Sequence, residues 1–367
     1  MKLSTTGMAL LATLALHLTA QAKNYQFIVG TFTGTSFSQG IYQLKINTTH
    51  FKADTLLVAN AANPNFLCLS NDQKHLYAVS TAHDKSTLLS FDFRNKNRLT
   101  SLNVVDAGTG KEPCHVALTQ AHVVVANYSG GSVFVYKRKL DNSLSEVVQQ
   151  IQLTGSSIHP TRQQASHAHQ VVFSPDNQFL LITDLGADKV MVYKYTAANA
   201  NRPFEPFSEL KVKSGSGPRH LTFDKKGQFI YLLHELDGTL STLRYNQGKL
   251  TTVHTNSVVR KANLQTGAAD IHVSPDGKFV YATNRGNVND ISCFRTSSTG
   301  ELTFVQQLST QGVHPRNFVI TRDGKFVLVG NMRSNEISIF SRNKKTGVLT
   351  FTGKKVQVGA PACLIEF

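Results

Sequence analysis

Short apolar strands alternate with polar, Asp-Gly type turns along most of the chain, and the alternation repeats. Units of this kind begin at Asn65, Pro113, His167, Pro218, Ala269 and Pro315, a spacing of about 50 residues that matches a propeller-blade period. Each unit reads as four strands: one before the turn, one ending in Asn or Asp, one after a short polar loop and one after a Gly-x-Leu turn. Ser174-Pro175-Asp176-Asn177 and Ser274-Pro275-Asp276-Gly277 place Pro and Asp where a tight turn wants them. The two ends of the chain complement each other. Pro361-ACLIEF reads as a lone first strand, and the segment from Tyr25 reads as the strands that would follow it. The expected fold is therefore all-β: a seven-bladed β-propeller with four-stranded antiparallel blades, its ring closed by strands from both termini, which removes the free sheet edges. An open β-solenoid fits less well because hexapeptide-type periods are absent.

The first segment breaks this pattern. Lys2 supplies a positive start, Met8 to Leu18 an apolar stretch and Ala20-Gln21-Ala22 a small-residue cleavage pattern, so residues 1–22 read as a secretory signal. The expected domain is 23–367, periplasmic or secreted after cleavage near Ala22. The apolar run is too short to span a bilayer, and no integral membrane segment is expected after cleavage. Cys68, Cys114, Cys293 and Cys363 lie far apart and beside apolar runs, which suits buried small hydrophobes better than a disulfide framework.

Charge narrows the partner. The net charge of +15 could favour nucleic acid, an anionic envelope or an acidic small molecule. The lysines are scattered through loops without an aromatic-basic block, so no nucleic-acid partner is expected. A small anionic substrate fits better, beside the plain reading of solvated loop charge. Oligomeric state leaves no mark on the pattern.

Propeller geometry gathers the unusual residues. The first strand of a blade lies nearest the axis and the second runs antiparallel to it, so the start of one and the end of the next share a rim. First-strand starts carry His115, His167, His169, Arg219, His220 and Arg316; second-strand ends carry Asn127, Asp184, Glu235, Asn284 and Arg285. All should ring one mouth of the channel. Arg219 and Glu235 are separated by a strand, a turn and a strand, so they can face each other. His167-Ala168-His169 has the alternate spacing that puts both rings on one face of a strand. That spacing would also suit a metal, but a third and fourth ligand are not obvious, although His115, His159 and Asp184 are candidates. Neither metal nor cofactor is expected. Asp184 and Asn127 also serve readily as turn formers, whereas Arg285 has no turn-forming role and points to a ligand contact. Gly-x-Ser-x-Gly, Walker, dinucleotide and Cys-x-x-Cys motifs are absent from the sequence.

At these residues the chain resembles the lactonase family of seven-bladed propellers, which includes propeller-type 6-phosphogluconolactonase and carboxy-cis,cis-muconate lactonizing enzyme. The resemblance rests on Ile28-Val29-Gly30-Thr31, Pro113-Cys114-His115, Ala126 to Gly131, Arg162-Gln163, His167-Ala168-His169, Asp184 to Asp188, Gly215 to His220, Glu235-Leu236, Asn284-Arg285-Gly286 and Pro315 to Phe318. It departs at Ser166, where the family often has Pro, and at Val79-Ser80-Thr81, where it commonly has Asn-Glu. The resemblance implies a catalytic set of one of His167 and His169 with Arg219, Glu235 and Arg285. His115, Asn127, Arg162, Asp184, His220 and Arg316 are expected to bind substrate. Hydrolysis of a sugar lactone is the leading expectation, with an unphosphorylated lactone favoured by export. A lactone-forming cycloisomerase uses the same kinds of group, and a non-catalytic propeller binding an envelope ligand or protein is the competing class.

Overall fold

A computed structural model describes residues 24–48, 51–83, 85–108, 111–260 and 267–367. The expected signal segment lies outside the described residues. The described residues form seven four-stranded antiparallel sheets and no helix. Six blades run in chain order, with inner strands Phe66–Leu69, Pro113–Leu118, Ala168–Phe173, Pro218–Phe223, Ala268–Val273 and Pro315–Ile320. We number these blades 2 to 7. Blade 1 pairs the C-terminal strand Pro361–Glu366 with Asn24–Thr31, then adds Gly40–Asn47 and Lys52–Asn60. Ile28 stands opposite Ile365 and Val29 opposite Leu364, so the ring is closed from both ends of the chain as the hydrophobic pattern implied.

Strand alternation gives each blade two apolar faces, and the blades bury them against one another. One apolar cluster lies at each of the seven blade boundaries. Val124 and Val135 of blade 3, for example, pack with Val171, Ile182 and Phe204 of blade 4. The turns between first and second strands of blades 2, 4, 6 and 7 share one chemistry. Ser274 Oγ donates to Asp276 Oδ1 at 2.5 Å and accepts from Phe279 N at 3.0 Å. Ser70 with Asp72, Ser174 with Asp176 and Thr321 with Asp323 repeat the device.

One irregularity recurs where it matters. In blade 4, Ala168 opposes Asp184 and Gln170 opposes Thr183, leaving His169 as an extra residue. In the same way Cys114, Arg219 and Arg316 are the bulged residues of blades 3, 5 and 7. In blade 6 Ala269 and Asp270 together face Thr283 between paired positions. A bulge turns its extra side chain out of the pleat. Repeated around the ring, it delivers several side chains to one end of the channel.

The cysteines are free and buried or half-buried, as small hydrophobes should be. No described helix is long and apolar enough to cross a membrane.

Candidate active site

Three bulged residues, Cys114, His169 and Arg316, line a cavity of about 400 Å³ at the channel mouth, with Phe32, Tyr128, Arg162, Glu235 and Arg285. The fourth, Arg219, is buried and reaches the cavity through its ion pair with Glu235. A second cavity of about 740 Å³ shares Arg162, Glu235 and Arg285 with the first and adds His159, His314 and Arg333.

Glu235 is the hub. Arg162 Nη2 donates to its Oε1 at 2.6 Å, while Arg219 Nε and Arg285 Nη2 reach its Oε2 at 2.9 and 2.8 Å. Glu235 is 6% exposed and Arg219 2%. Burial opposes ionisation of the carboxyl, but Arg285, Arg219 and Arg162 outweigh it and hold Glu235 far below the usual carboxylate range. Burial and the neighbouring Arg285 push Arg219 down to about 9 against the pull of Glu235, and it stays charged at neutral pH. Local backbone sets this geometry. Asp188 accepts from the backbone N–H groups of Gly215 and Gly217 at 2.7 Å each, and Gly217 has φ +65°, delivering Pro218-Arg219 to the rim. Arg285 is fastened by Nε donating to Gly267 O at 2.9 Å, and Arg162 by Nη2 donating to Tyr128 Oη at 3.0 Å.

Arg316 differs from these three. Among the described residues no carboxylate or hydrogen-bond acceptor meets its guanidinium, which lies 5.1 Å from the Phe32 ring centre. Burial, then repulsion from Arg285, pushes it down to about 10. It is a charged donor group facing the cavity with its hydrogen-bonding capacity unspent.

His169 Nε2 lies 3.9 Å from Glu235 Oε2, and its Nδ1 is buried without a protein partner. Burial, followed by the positive charge of Arg219, His220, Arg316 and Arg285, holds this imidazole well below its ordinary range, so it is neutral at physiological pH. Cys114 also lines the cavity, but burial pushes its thiol up to about 12, too high for a thiolate nucleophile.

The remaining residues picked out in the sequence take other places. His167 and His169 both reach Tyr128: His167 stacks on its ring at 4.4 Å and bonds Tyr128 O through Nδ1 at 3.0 Å, while His169 meets the ring edge-on at 5.5 Å and, unlike His167, lines the cavity. Asp184 faces the backbone. Its Oδ1 accepts from the N–H groups of His167, Gly186 and Ala187 at 2.8, 3.1 and 3.1 Å, a turn-forming role outside the cavity lining. Asn127 is fully buried and also absent from the lining. His115 and His220 sit one layer below the mouth: His115 lies 4.1 Å from Phe66, and His220 bonds Asp270 at 2.9 Å. Asp270 escaped the sequence reading, although it occupies the same slot in its blade as His115, His220 and Asn317 do in theirs. Tyr128, His314 and Arg333 were also not singled out, and a tyrosine after a strand-ending Asn was the one signal available for the first of them. Among the described residues no group of three or more His, Cys, Asp or Glu side chains could hold a metal ion.

Residues 26–366 match the family model described as "Lactonase, 7-bladed beta-propeller". The chain is 34% identical over 349 residues to the 6-phosphogluconolactonase of Formosa agariphila, covering 92% of this chain and 98% of that one. It is 32% identical to the 6-phosphogluconolactonase of Bacillus subtilis over 351 residues, covering 92% and 96%. Among solved structures, the periplasmic gluconolactonase of Pseudomonas aeruginosa superposes with a TM-score of 0.88 at 34% identity, covering 94% of this chain and 99% of that one. From its blade period to its cationic channel mouth, the chain belongs to the lactonase family of seven-bladed β-propellers.

Proposed function

We propose that the protein hydrolyses a sugar lactone at the channel mouth, with His169 as the base. The observation that carries this is the pairing, in one cavity, of a neutral imidazole 3.9 Å from an ionised carboxylate with a cation, Arg316, that has no protein partner. A water held between His169 Nε2 and Glu235 Oε2 loses a proton to Nε2 as its oxygen bonds the lactone carbonyl carbon. The negative charge that develops on the carbonyl oxygen is met by Arg316 and Arg285. Collapse of the tetrahedral species breaks the ring C–O bond, and the proton on His169 passes to the departing ring oxygen. The product is an open-chain hydroxy acid. Glu235, held ionised by three arginines, orients the water and stabilises the transient imidazolium while staying charged throughout.

The site belongs outside the cytoplasm on this reading. Residues 1–22 read as an export signal, and the Pseudomonas relative of the same fold is described as periplasmic. An unphosphorylated aldonolactone therefore suits the chain better than a phosphorylated one.

A panel of aldonolactones with and without phosphate, followed by acid release from the purified mature protein, tests the proposal. Wild type should open at least one member. Glu235→Gln should lose roughly a hundredfold or more in kcat/KM, the range seen when one preorganised charged group is removed. Equal inactivity of both proteins across the panel would count against lactone hydrolysis.

A further inference from the structure

Beneath the cavity lies a buried polar group that the reaction above does not use. His220 and Asp270 have side chains 4% exposed, and His220 Nδ1 lies 2.9 Å from Asp270 Oδ1. Asp270 Oδ2 meets His272 Nε2 at 2.9 Å, Asn317 Nδ2 at 2.6 Å and Phe318 N at 3.2 Å. Burial opposes charge on Asp270, but His272 and His220 outweigh it and hold the carboxyl well below its usual range. An ionised carboxylate only accepts. His220 must then carry its proton on Nδ1, which leaves Nε2 as an acceptor, and that Nε2 is buried without a protein partner.

The His220 ring is 5.3 Å from His169 and 5.7 Å from His115. Each of those rings also has a buried Nδ1 without a protein partner. Three unsatisfied imidazole nitrogens, on His220 and on the two rings that meet it, are the polar surroundings in which a single buried water persists.

We propose that His220, fixed by Asp270, is a positioning residue for His169, acting through one buried water shared by the three imidazoles. The water donates to His220 Nε2 and His115 Nδ1 and accepts from His169 Nδ1–H. That arrangement satisfies all three rings and leaves the His169 lone pair on Nε2, the nitrogen that faces Glu235. Asp270 thus sets the tautomer of a base two residues removed from it in the network. The inference rests on His169 being the base. The charged and titratable groups around His169 are Glu235, Arg219 and His220 of blade 5, Arg285 of blade 6, Arg316 of blade 7, and Cys114 and Tyr128 of blade 3. Around His220 they are Asp270, His272, Arg219, His115 and His169.

Nitrogen-15 NMR of histidine-labelled protein, with His169 assigned through His169→Gln, reads the tautomer without any substrate. Wild-type His169 should be the Nδ1–H form at pH 7.5. In Asp270→Asn and in His220→Gln the population should move toward the Nε2–H form, with kcat lowered about a hundredfold and KM within a factor of about three, as expected when a base is left in the wrong tautomer. An Nε2–H His169 in wild type overturns the proposal, and it does so even if Asp270→Asn fails to fold. So does an unchanged tautomer and kcat in a folded His220→Gln. A wild type that opens no lactone while showing the Nδ1–H tautomer would instead remove the hydrolytic reading and leave the His220 contact standing.

Discussion

Arg316 and Glu235 show how differently two charges, one half-buried and one buried, are treated within one cavity. Glu235 is matched by three arginines, whereas Arg316 has an aromatic ring and no carboxylate. A half-buried cation without a carboxylate partner adds no ion-pair stabilisation and loses part of its hydration until a ligand anion meets it. Arg316→Ala is accordingly expected to leave the thermal midpoint unchanged or to raise it, while kcat/KM for the best lactone falls about ten- to a hundredfold, the range of a charge-assisted hydrogen bond. Parallel loss of midpoint and activity would place Arg316 in the scaffold instead. Much of this mouth was legible from residue types, since no packing reason calls for Arg219 and Arg316 at first-strand starts and Arg285 at a second-strand end of the same rim. What residue type could not separate was which side chain spends itself on the protein. Asp184 and Asn127 look like ligand groups in sequence, yet one binds three backbone N–H groups and the other is sealed inside its blade.

At the scale of elements, the blade repeat and the rim were readable because strand alternation and turn chemistry are local properties. Bulges are not. A one-residue excess leaves no mark on the apolar pattern, so the slot after the bulge was not legible as one position: His115 and His220 stood out in it by residue type, while Asp270 and Asn317 escaped notice. The polar turn at the opposite end of each blade is a local device whose contribution can be tested by itself. Ser274→Ala removes a hydroxyl that both donates to Asp276 and accepts from Phe279 N. It should destabilise the protein by about 1–2 kcal/mol in a denaturant titration, with kcat and KM untouched. A change in turnover at constant stability would mean that blade 6 transmits strain from that turn to Arg285.

Across the whole molecule, the buried histidines tie stability to pH. His115 and His169 are held well below their ordinary value, chiefly by burial, and His220 and His234 are lowered to about 4 for the same reason. The unfolded chain takes up these protons near pH 6.5 and the folded one does not, so the stability they contribute is complete above that pH and is lost as the pH falls toward 4. At pH 5 the loss is on the order of 2 kcal/mol per histidine. His272, raised by Asp270, and Asp290, raised to about 6 by burial, work in the opposite direction but are fewer. The thermal midpoint should fall between pH 7.5 and pH 5, and a flat or rising profile would show that these imidazoles are not buried neutral. The ring closure has a consequence in time. Asn24–Thr31 leaves the ribosome long before its partner Pro361–Glu366 is made, along with Ala360 and Gly359, whose carbonyls accept from Phe32 N and Ser38 Oγ. Phe32 borders the cavity, and Asn317, next to Arg316, accepts from Leu364 N at 2.7 Å. A chain whose synthesis stops before Pro361 therefore lacks more than a strand. It has no finished mouth, and catalytic competence is conferred only on molecules translated through Pro361–Glu366.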